Sequence, residues 1–366
     1  MNPVARAEAR IKQLCCIGLP SEAIIPAVLK ELHAVVPSCG NSFFWSDEHY
    51  QLSNLYDETP ASAEIADLYM QEFYNRPERN LIPGFTYGMR HMYGVFESDR
   101  WLTVDRRTYR KSDYYNLINR PMGYAHALFF TVRAGGRGLG TLVVWHGWDD
   151  VEFSARDKRR LTNLESFIAH AVSCSMRDEL EVPLVDDDDK GLVIVDQDDK
   201  IQYLSPRAGK LLFLATHPQV TPRSAHGEAA RLPAEVIRLC QNLRAVFAGR
   251  QDAAVAPPVQ RHRNPWGGFT FRAYWLDNSD PLASLIGITI EHQVPLPVKV
   301  VREMERFALS RRQMQICLLL AAGHSHAQIA RQMDMRRDTA ITHCRRLYDK
   351  LDVHNHAELM NKLLNS

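Results

Sequence analysis

Residues 309–359, LSRRQMQICLLLAAGHSHAQIARQMDMRRDTAITHCRRLYDKLDVHNHAEL, decide how this chain is read. Ser310 stands ahead of Met314, Cys317, Leu318 and Ala321, an i, i+3, i+4, i+7 spacing that gives a helix one apolar face. Ser is a good N-cap because its hydroxyl satisfies a backbone donor the helix leaves orphaned. Gly323 stops the helix, since glycine tolerates the left-handed conformation of a C-terminal cap. Ser325 caps a second short helix with Ile329, Ala330 and Met333 inward, and a tight turn at Asp334 and Met335 follows. A third helix is expected from about Arg337 to Lys350, burying Ala340, Cys344, Leu347 and Leu351. A last one starts at His354 or Asn355 and faces Leu359, Leu363 and Leu364 inward.

Two short helices joined by a tight turn let the second enter a major groove, which is wide enough for one helix. Away from its apolar stripe the third helix carries Ile341, Thr342, Arg345, Arg346 and Asp349. Arg can bond two acceptors of a guanine, and Ile or a Thr methyl can press on a thymine methyl. Arg336, Arg337, His343 and Lys350 fall where phosphates would run. Cations outnumber acids in this stretch, although the whole chain has a formal net charge of +1, and that local excess fits a polyanion.

These residues resemble the LuxR-type helix-turn-helix DNA-binding domain. The shared features are Leu309-Ser310, Arg312, Leu320-Ala321-Ala322-Gly323, Ser325, Ile329-Ala330, Thr339, His343, Tyr348, Lys350-Leu351, Val353 and Ala357-Glu358-Leu359. The resemblance implies double-stranded DNA as partner, with Ile341, Thr342 and Arg345 toward bases and His343 and Lys350 near the backbone. Ser325, Arg336, Arg337, Thr339 and Arg346 complete the expected DNA-binding set. Ile341 stands where the family usually has Lys, which implies a different operator sequence. A homodimer is expected, with RNA polymerase as a further partner.

The 366 residues suffice for two or three domains, and 45% hydrophobic with 24% charged content is that of a globular protein. No run of ~20 apolar residues exists, and the first residues lack a signal-peptide core, so a cytoplasmic protein off the membrane is expected. Seven cysteines show no CxxC pair, which reads as reduced thiols. The vicinal Cys15 and Cys16 are read structurally rather than as a redox pair: Ile11, Leu14, Cys15 and Gly18 form a helical face, and small buried cysteines are common. GxGxxG after a strand, Walker, GxSxG, HExxH and kinase signatures are missing, so no enzyme, cofactor or metal is expected.

Two helices are expected up to about Val36, the second opening at Pro20. NSFFWSD from Asn41 and YQLSNLY from Tyr50 read as paired strands, and Ala61–Tyr74 as helix. An irregular aromatic stretch holds Phe85, Tyr87, Tyr93, Phe96 and Trp101; Tyr109–Ile118 reads as helix. Ala125–Arg133 and Gly138–His146 alternate like a hairpin around Gly135-Gly136, and Ala155–Met176 reads as one long helix. The closing strands and EFSARDKRRLTNLESFIAHAV (from Glu152) carry a resemblance to a GAF-like sensor domain. Trp101, Tyr109 and Asp113 distantly resemble the polar pocket of acyl-homoserine-lactone receptors. Pockets for small organic ligands are aromatic with a few polar tips, so Trp45, Tyr87, Trp101, Tyr109, Asp113 and Tyr115 are the candidate ligand-binding residues.

Asp186–Asp189 reads as a solvated linker. GLVIVD (from Gly191), an Asp turn, IQYLS (from Ile201) and a helix with Ala208, Leu211 and Leu212 resemble the opening of a PAS domain. Trp266, Phe271, Tyr274 and Trp275 could line a pocket there, with core packing the safer reading; His217, His226 and His262 sit in polar loops unsuited to haem. Gln293–Lys299, with two prolines, reads as a stiff linker. The expected architecture is multidomain α+β: two antiparallel-sheet sensor modules, GAF-like (1–178) and PAS-like (190–293), a linker (294–306) and an all-α four-helix helix-turn-helix domain (307–366). The expected function is a transcription regulator controlled by a small molecule; control by a protein partner without a small ligand is the alternative.

Overall fold

Helix α1 (Pro3–Cys15) opens on Asn2, whose side-chain oxygen accepts from the Val4 amide at 3.1 Å. It buries Ala7, Ile11 and Leu14 against Ile24, Ile25, Val28 and Leu32 of α2 (Ser21–Leu32). Cys15 is part of that face, and burial pushes its thiol up, away from the reactive thiolate. This computed structural model describes residues 2–76, 80–173, 182–222, 232–249, 258–276, 285–307 and 309–364.

The first sheet contains β1 (Gly40–Ser46), β2 (Leu52–Asp57), β3 (Gly94–Glu97), β4 (His126–Ala134) and β5 (Arg137–His146), in the order β2-β1-β5-β4-β3 with antiparallel neighbours. Gly135 and Gly136 turn the β4–β5 hairpin with φ of +56° and +80°, as a tight two-residue turn requires. β3 lies inside the stretch expected to be irregular; pairing with β4 supplies the order that its sequence pattern does not advertise. Between β2 and β3 run α3 (Ser62–Leu68), a π-helical turn (Tyr69–Phe73) and α4 (Phe85–His91). After β3 come α5 (Ser98–Trp101), α6 (Arg106–Lys111) and a second π-helical turn (Tyr115–Asn119), so the expected helix over Tyr109–Ile118 is interrupted at Ser112. The helix expected from Ala155 is broken at Asn163 and Leu164 into α7 (Ala155–Thr162) and α8 (Glu165–Ser173), and its remainder lies outside the described residues.

Strand alternation sorts the side chains of this sheet into two layers. Phe43, Leu128, Phe130, Leu142 and Val144 join the fully buried core under α1, α2 and α8. Phe44, Phe129, Thr131, Val143 and Trp145 point the other way, toward the short helices.

The second sheet contains β6 (Leu184–Val195), β7 (Ile201–Leu204), β8 (Val259–Asn264), β9 (Gly267–Leu276) and β10 (Leu285–Pro295), with α9 (Pro206–Thr216) and α10 (Ala234–Phe247) between β7 and β8. Its order, β7-β6-β10-β9-β8, repeats that of the first sheet strand for strand. Ile286, Ile288 and Ile290 pack with Val193, Phe269 and Phe271 beneath Leu211 and Leu212 of α9. Trp266 and Phe271 are core, Tyr274 is 50% exposed, and Trp275 stacks on Phe247, so these four aromatics do not converge on a pocket.

Two segments expected to be linkers are ordered structure. Asp186–Asp189 lies within β6, paired with β10, because partners neutralise the acids: Arg302 and His292 lie against Asp187, and Arg207 is 3.1 Å from Asp189. Residues 293–295 close β10, and α11 (Leu296–Glu303) follows at once, burying Leu296, Val298, Val300 and Val301. A one-turn 3-10 helix (Met304–Phe307) leads to α12 (Arg311–Ala321), α13 (His326–Gln332), α14 (Arg337–Leu351) and α15 (His356–Leu364). α11 packs on α1, α12 and α15.

Gly191 of β6 lets α9 approach: a Cβ there would sit 2.4 Å from the Ala208 Cα. Gly191→Val should therefore destabilise the protein by about 1–3 kcal/mol, measured as a lowered urea midpoint with an unchanged slope.

Candidate nucleic-acid interface and effector cavity

The C-terminal helices follow from their caps. Ser310 and Gln313 form a reciprocal capping box at α12, and Ser325 and Gln328 form another at α13. Gly323, at φ +80°, ends the first helical segment, and Asp334, at φ +46°, makes the tight turn into α14. Ala340, Cys344, Leu347 and Leu351 are buried in one stripe of α14, against α12 and α13.

That stripe fixes what faces outward. Arg336, Arg337, Thr339, Thr342, Arg345, Arg346 and Lys350 are exposed, and Ile341 and His343 are half-buried at the margins. The Thr342 hydroxyl donates to the Asp338 carbonyl at 2.9 Å, which occupies its donor within the helix. Lys350 Nζ lies 3.4 Å from the Gln313 side-chain oxygen. The Ser325 hydroxyl is engaged in its cap, so its part is to set α13. Among the described residues, Arg336, Arg337, Arg345 and Arg346 make no ion pair with a carboxylate. Unpaired guanidiniums along one exposed helix suit phosphates and base edges. α11 docks on α12 and α15 and leaves α14 uncovered.

The first module contains a cavity of about 110 Å³ between the sheet and the short helices. Trp101, 7% exposed, lines it and lies tilted against Phe96 and Phe129. The other five expected ligand residues are elsewhere. Trp45 has the opposite strand parity from Phe44, so its indole donates to Ser21 and abuts Trp266 at 5.9 Å. Tyr87 is 49% exposed against His91, and Asp113 is exposed. Tyr109 borders an adjacent cleft and accepts from the Asn119 amide; Tyr115 is buried edge-on to Trp148.

The polar end of the cavity went unnoticed in the sequence. Trp145 Nε1 donates to Ser42 Oγ at 2.8 Å, and Ser42 Oγ donates to Asp57 at 2.5 Å. The Tyr124 hydroxyl donates to Asp57 at 3.0 Å, and the Thr59 amide adds a bond of 2.7 Å. Burial raises the Asp57 carboxyl above the usual carboxylate range, although Ser42 and Thr59 pull the other way. The available signal was parity: Asp57 ends β2 on the side of Leu55, which faces the cavity.

A second chamber, of about 190 Å³, lies between the two modules and α11. Lys210 of α9 reaches across to donate to the Glu58 carbonyl at 2.7 Å and sits 4.5 Å above the Tyr56 ring. Burial pulls its ammonium down to about 8, against the raising influence of Asp57 and Glu58. Asp187, Asp189 and His292 have ligand atoms within 4.8 Å of one another. Both acids already hold guanidiniums, so a divalent cation would have to displace Arg302 and Arg207.

The C-terminal unit is a helix-turn-helix that presents a cationic recognition helix. Residues 308–363 match the family described as bacterial regulatory proteins, luxR family, so this segment is a LuxR-type DNA-binding domain and the chain a DNA-binding regulator. No curated protein matches the sequence. Among solved structures, a Vibrio cholerae VqmA dimer without target DNA is 16% identical, covering 49% of this chain and 84% of its own, with a TM-score of 0.16. A VqmA–ligand–DNA complex is 17% identical over 48% and 82%, with a TM-score of 0.21. The Escherichia coli DhaR(N)–DhaL complex is 10% identical over 79% and 89%, with a TM-score of 0.25. Likeness at these levels carries no argument about this chain. No described helix is long and apolar enough to cross a membrane.

Burial alone would raise the Asp187 carboxyl, but His292 and Arg302 outweigh it and hold it below the usual range. A carboxylate depressed in the folded state adds stability above its unfolded pKa and loses it as pH falls. Arg302→Ala should cost about 3–5 kcal/mol near neutrality by stranding a buried charge. Urea melts against pH should show the gap to the parent narrowing below about pH 4.

Proposed function

We propose that this chain is a homodimeric transcription regulator that reads a two-part duplex site with α14 and is controlled by a small molecule held in the first-module cavity. The first module is then GAF-like and the second PAS-like, which the matching antiparallel strand orders support. The observation that carries the reading is the exposed row of Arg337, Arg345 and Arg346 on α14, which make no ion pair with a carboxylate among the described residues, set by caps on both preceding helices and left uncovered by α11. Ile341, Thr342 and Arg345 contact bases. Arg336, Arg337, His343, Arg346 and Lys350 hold phosphates, with Ser325 and Thr339 at the ends of the two helices. Two half-sites need two recognition helices, hence a second copy, and RNA polymerase is the partner that a bound regulator would engage.

The cavity supports a small effector over a protein partner because it is concave, aromatic and polar at one end. An effector regulates if it binds one arrangement of the modules and α11 more tightly than another. Under the alternative, a protein partner replaces the effector, and metabolites leave the melting temperature unchanged.

Selection of binding sites from random duplexes should yield a partly palindromic sequence. Arg345→Ala should relax base choice at one position per half-site, at a cost of about 1–3 kcal/mol. Lys350→Ala should weaken all sequences alike and flatten the slope of affinity against salt. Unchanged affinity and preference in Arg345→Ala would remove α14 from the groove.

A further inference from the structure

The chamber between the two sheet modules and α11 is the larger of the two spaces and differs in charge. Its volume of about 190 Å³ exceeds that of an engineered cavity of about 150 Å³ that admits benzene. Leu211 and Leu214 of α9, Trp266, Val294 and Val298 give it apolar walls, and Ala27 of α2 lines the side of the first module. It shares no lining residue with the first-module cavity: Tyr56 and Glu58 line the chamber, whereas their neighbours Leu55 and Asp57 line the cavity.

Its charges do not cancel. Lys30, Arg207, Lys210 and Arg302 line it together with the acids Glu58, Asp187 and Asp189. Each acid has a partner of its own: His33 lies 2.8 Å from Glu58, Arg207 lies 3.1 Å from Asp189, and Arg302 lies against Asp187. Lys30 and Lys210 remain, and neither makes an ion pair with a carboxylate among the described residues. Lys30 is exposed, whereas Lys210 is 6% exposed. An ammonium has three donors, and the protein groups that meet this one are the Glu58 carbonyl at 2.7 Å and the face of the Tyr56 ring at 4.5 Å. A buried cation without a counter-charge is costly, and a ligand that brings a carboxylate oxygen to it relieves that cost.

We infer that this chamber is a binding site independent of the first-module cavity, and that it takes a compact organic monocarboxylate, of about the bulk of a single ring, whose carboxylate accepts from Lys210 and whose body lies among Leu211, Leu214 and Trp266. One negative charge matches the one unpaired buried cation of the chamber; a phosphate dianion would also meet Glu58, Asp187 and Asp189. A neutral amide of the same shape lacks the charge, and an amine is repelled by Lys210. The bound molecule touches residues of both modules, so it favours the arrangement in which they are docked over any in which they part.

Calorimetric titration of the full chain with benzoate, benzamide, benzylamine and inorganic phosphate tests this. Benzoate should bind at least about tenfold more tightly than each of the other three. Lys210→Gln keeps a donor for the Glu58 carbonyl and removes the charge; with its fold checked by circular dichroism and melting, it should bring benzoate and benzamide to equal affinity. The parent protein supplies a readout that needs no variant. Burial pulls the Lys210 ammonium down to about 8, with Asp57, Glu58 and Asp189 raising it and Arg207 lowering it. Benzoate affinity should therefore fall about tenfold or more between about pH 7.5 and 9.5, as the ammonium loses its proton, while benzamide affinity stays constant. Benzamide, benzylamine or phosphate binding as tightly as benzoate, or no binding of benzoate up to about 10 mM, overturns the ligand class. A benzoate preference that persists in folded Lys210→Gln, or benzoate binding that ignores pH in the parent, overturns the site.

Discussion

The ion pair between Asp187 and Arg302 is the tie on which the relation of the two sheet modules to the DNA-binding unit depends. Asp187 sits in a central strand of the second sheet, and Arg302 sits on the helix that leads directly to the DNA-binding unit. Lys299, one turn earlier on α11, donates to the Asp186 carbonyl at 2.7 Å. A buried charge pair of this kind contributes little net stability against an apolar equivalent, but it penalises any arrangement that separates its members. The acid run in β6 is thus a geometric fixture that seats α11 in one orientation on the sheet.

The apolar stripe of α11 completes that seating. Val298, Val300 and Val301 are fully buried, and the helix touches α1 at the start of the chain as well as α12 and α15 near its end. The first module meets the second through Lys210 on Glu58, Trp45 against Trp266, and the Asn54 side chain accepting from the Val220 amide at 2.9 Å. The contacts from cavity to α11 therefore run through packed and hydrogen-bonded groups, without an intervening flexible spacer among the described residues.

Local chemistry explains which parts were legible in the sequence. Ser310, Gly323, Ser325 and the stripe Ala340, Cys344, Leu347 and Leu351 each act within a turn or two of helix, so spacing suffices to place them. The strands around Phe43 and Leu128 were readable from alternation for the same reason. Asp186–Asp189 and Gln293–Lys299 were misread because partners lie far away in sequence: Arg207, His292 and Arg302 for the acids, and α1 and α15 for α11. The cavity shows the same division. Trp101 was found through its company of aromatics, while Trp45 has the wrong parity for the cavity. Asp57 passes unseen until β1, β2 and Tyr124 are brought together.

The direct passage from β10 into α11 has a mechanical corollary. Pro295 is both the last strand residue and the cap of the helix, so the junction offers no slack in which a length change could be absorbed. Each residue added to a helix turns everything beyond it by about 100° and advances it by about 1.5 Å. The C-terminal helices are therefore phased to the second sheet like a key cut to one rotation, and the length of this short segment is as tightly constrained as the identity of any residue in it.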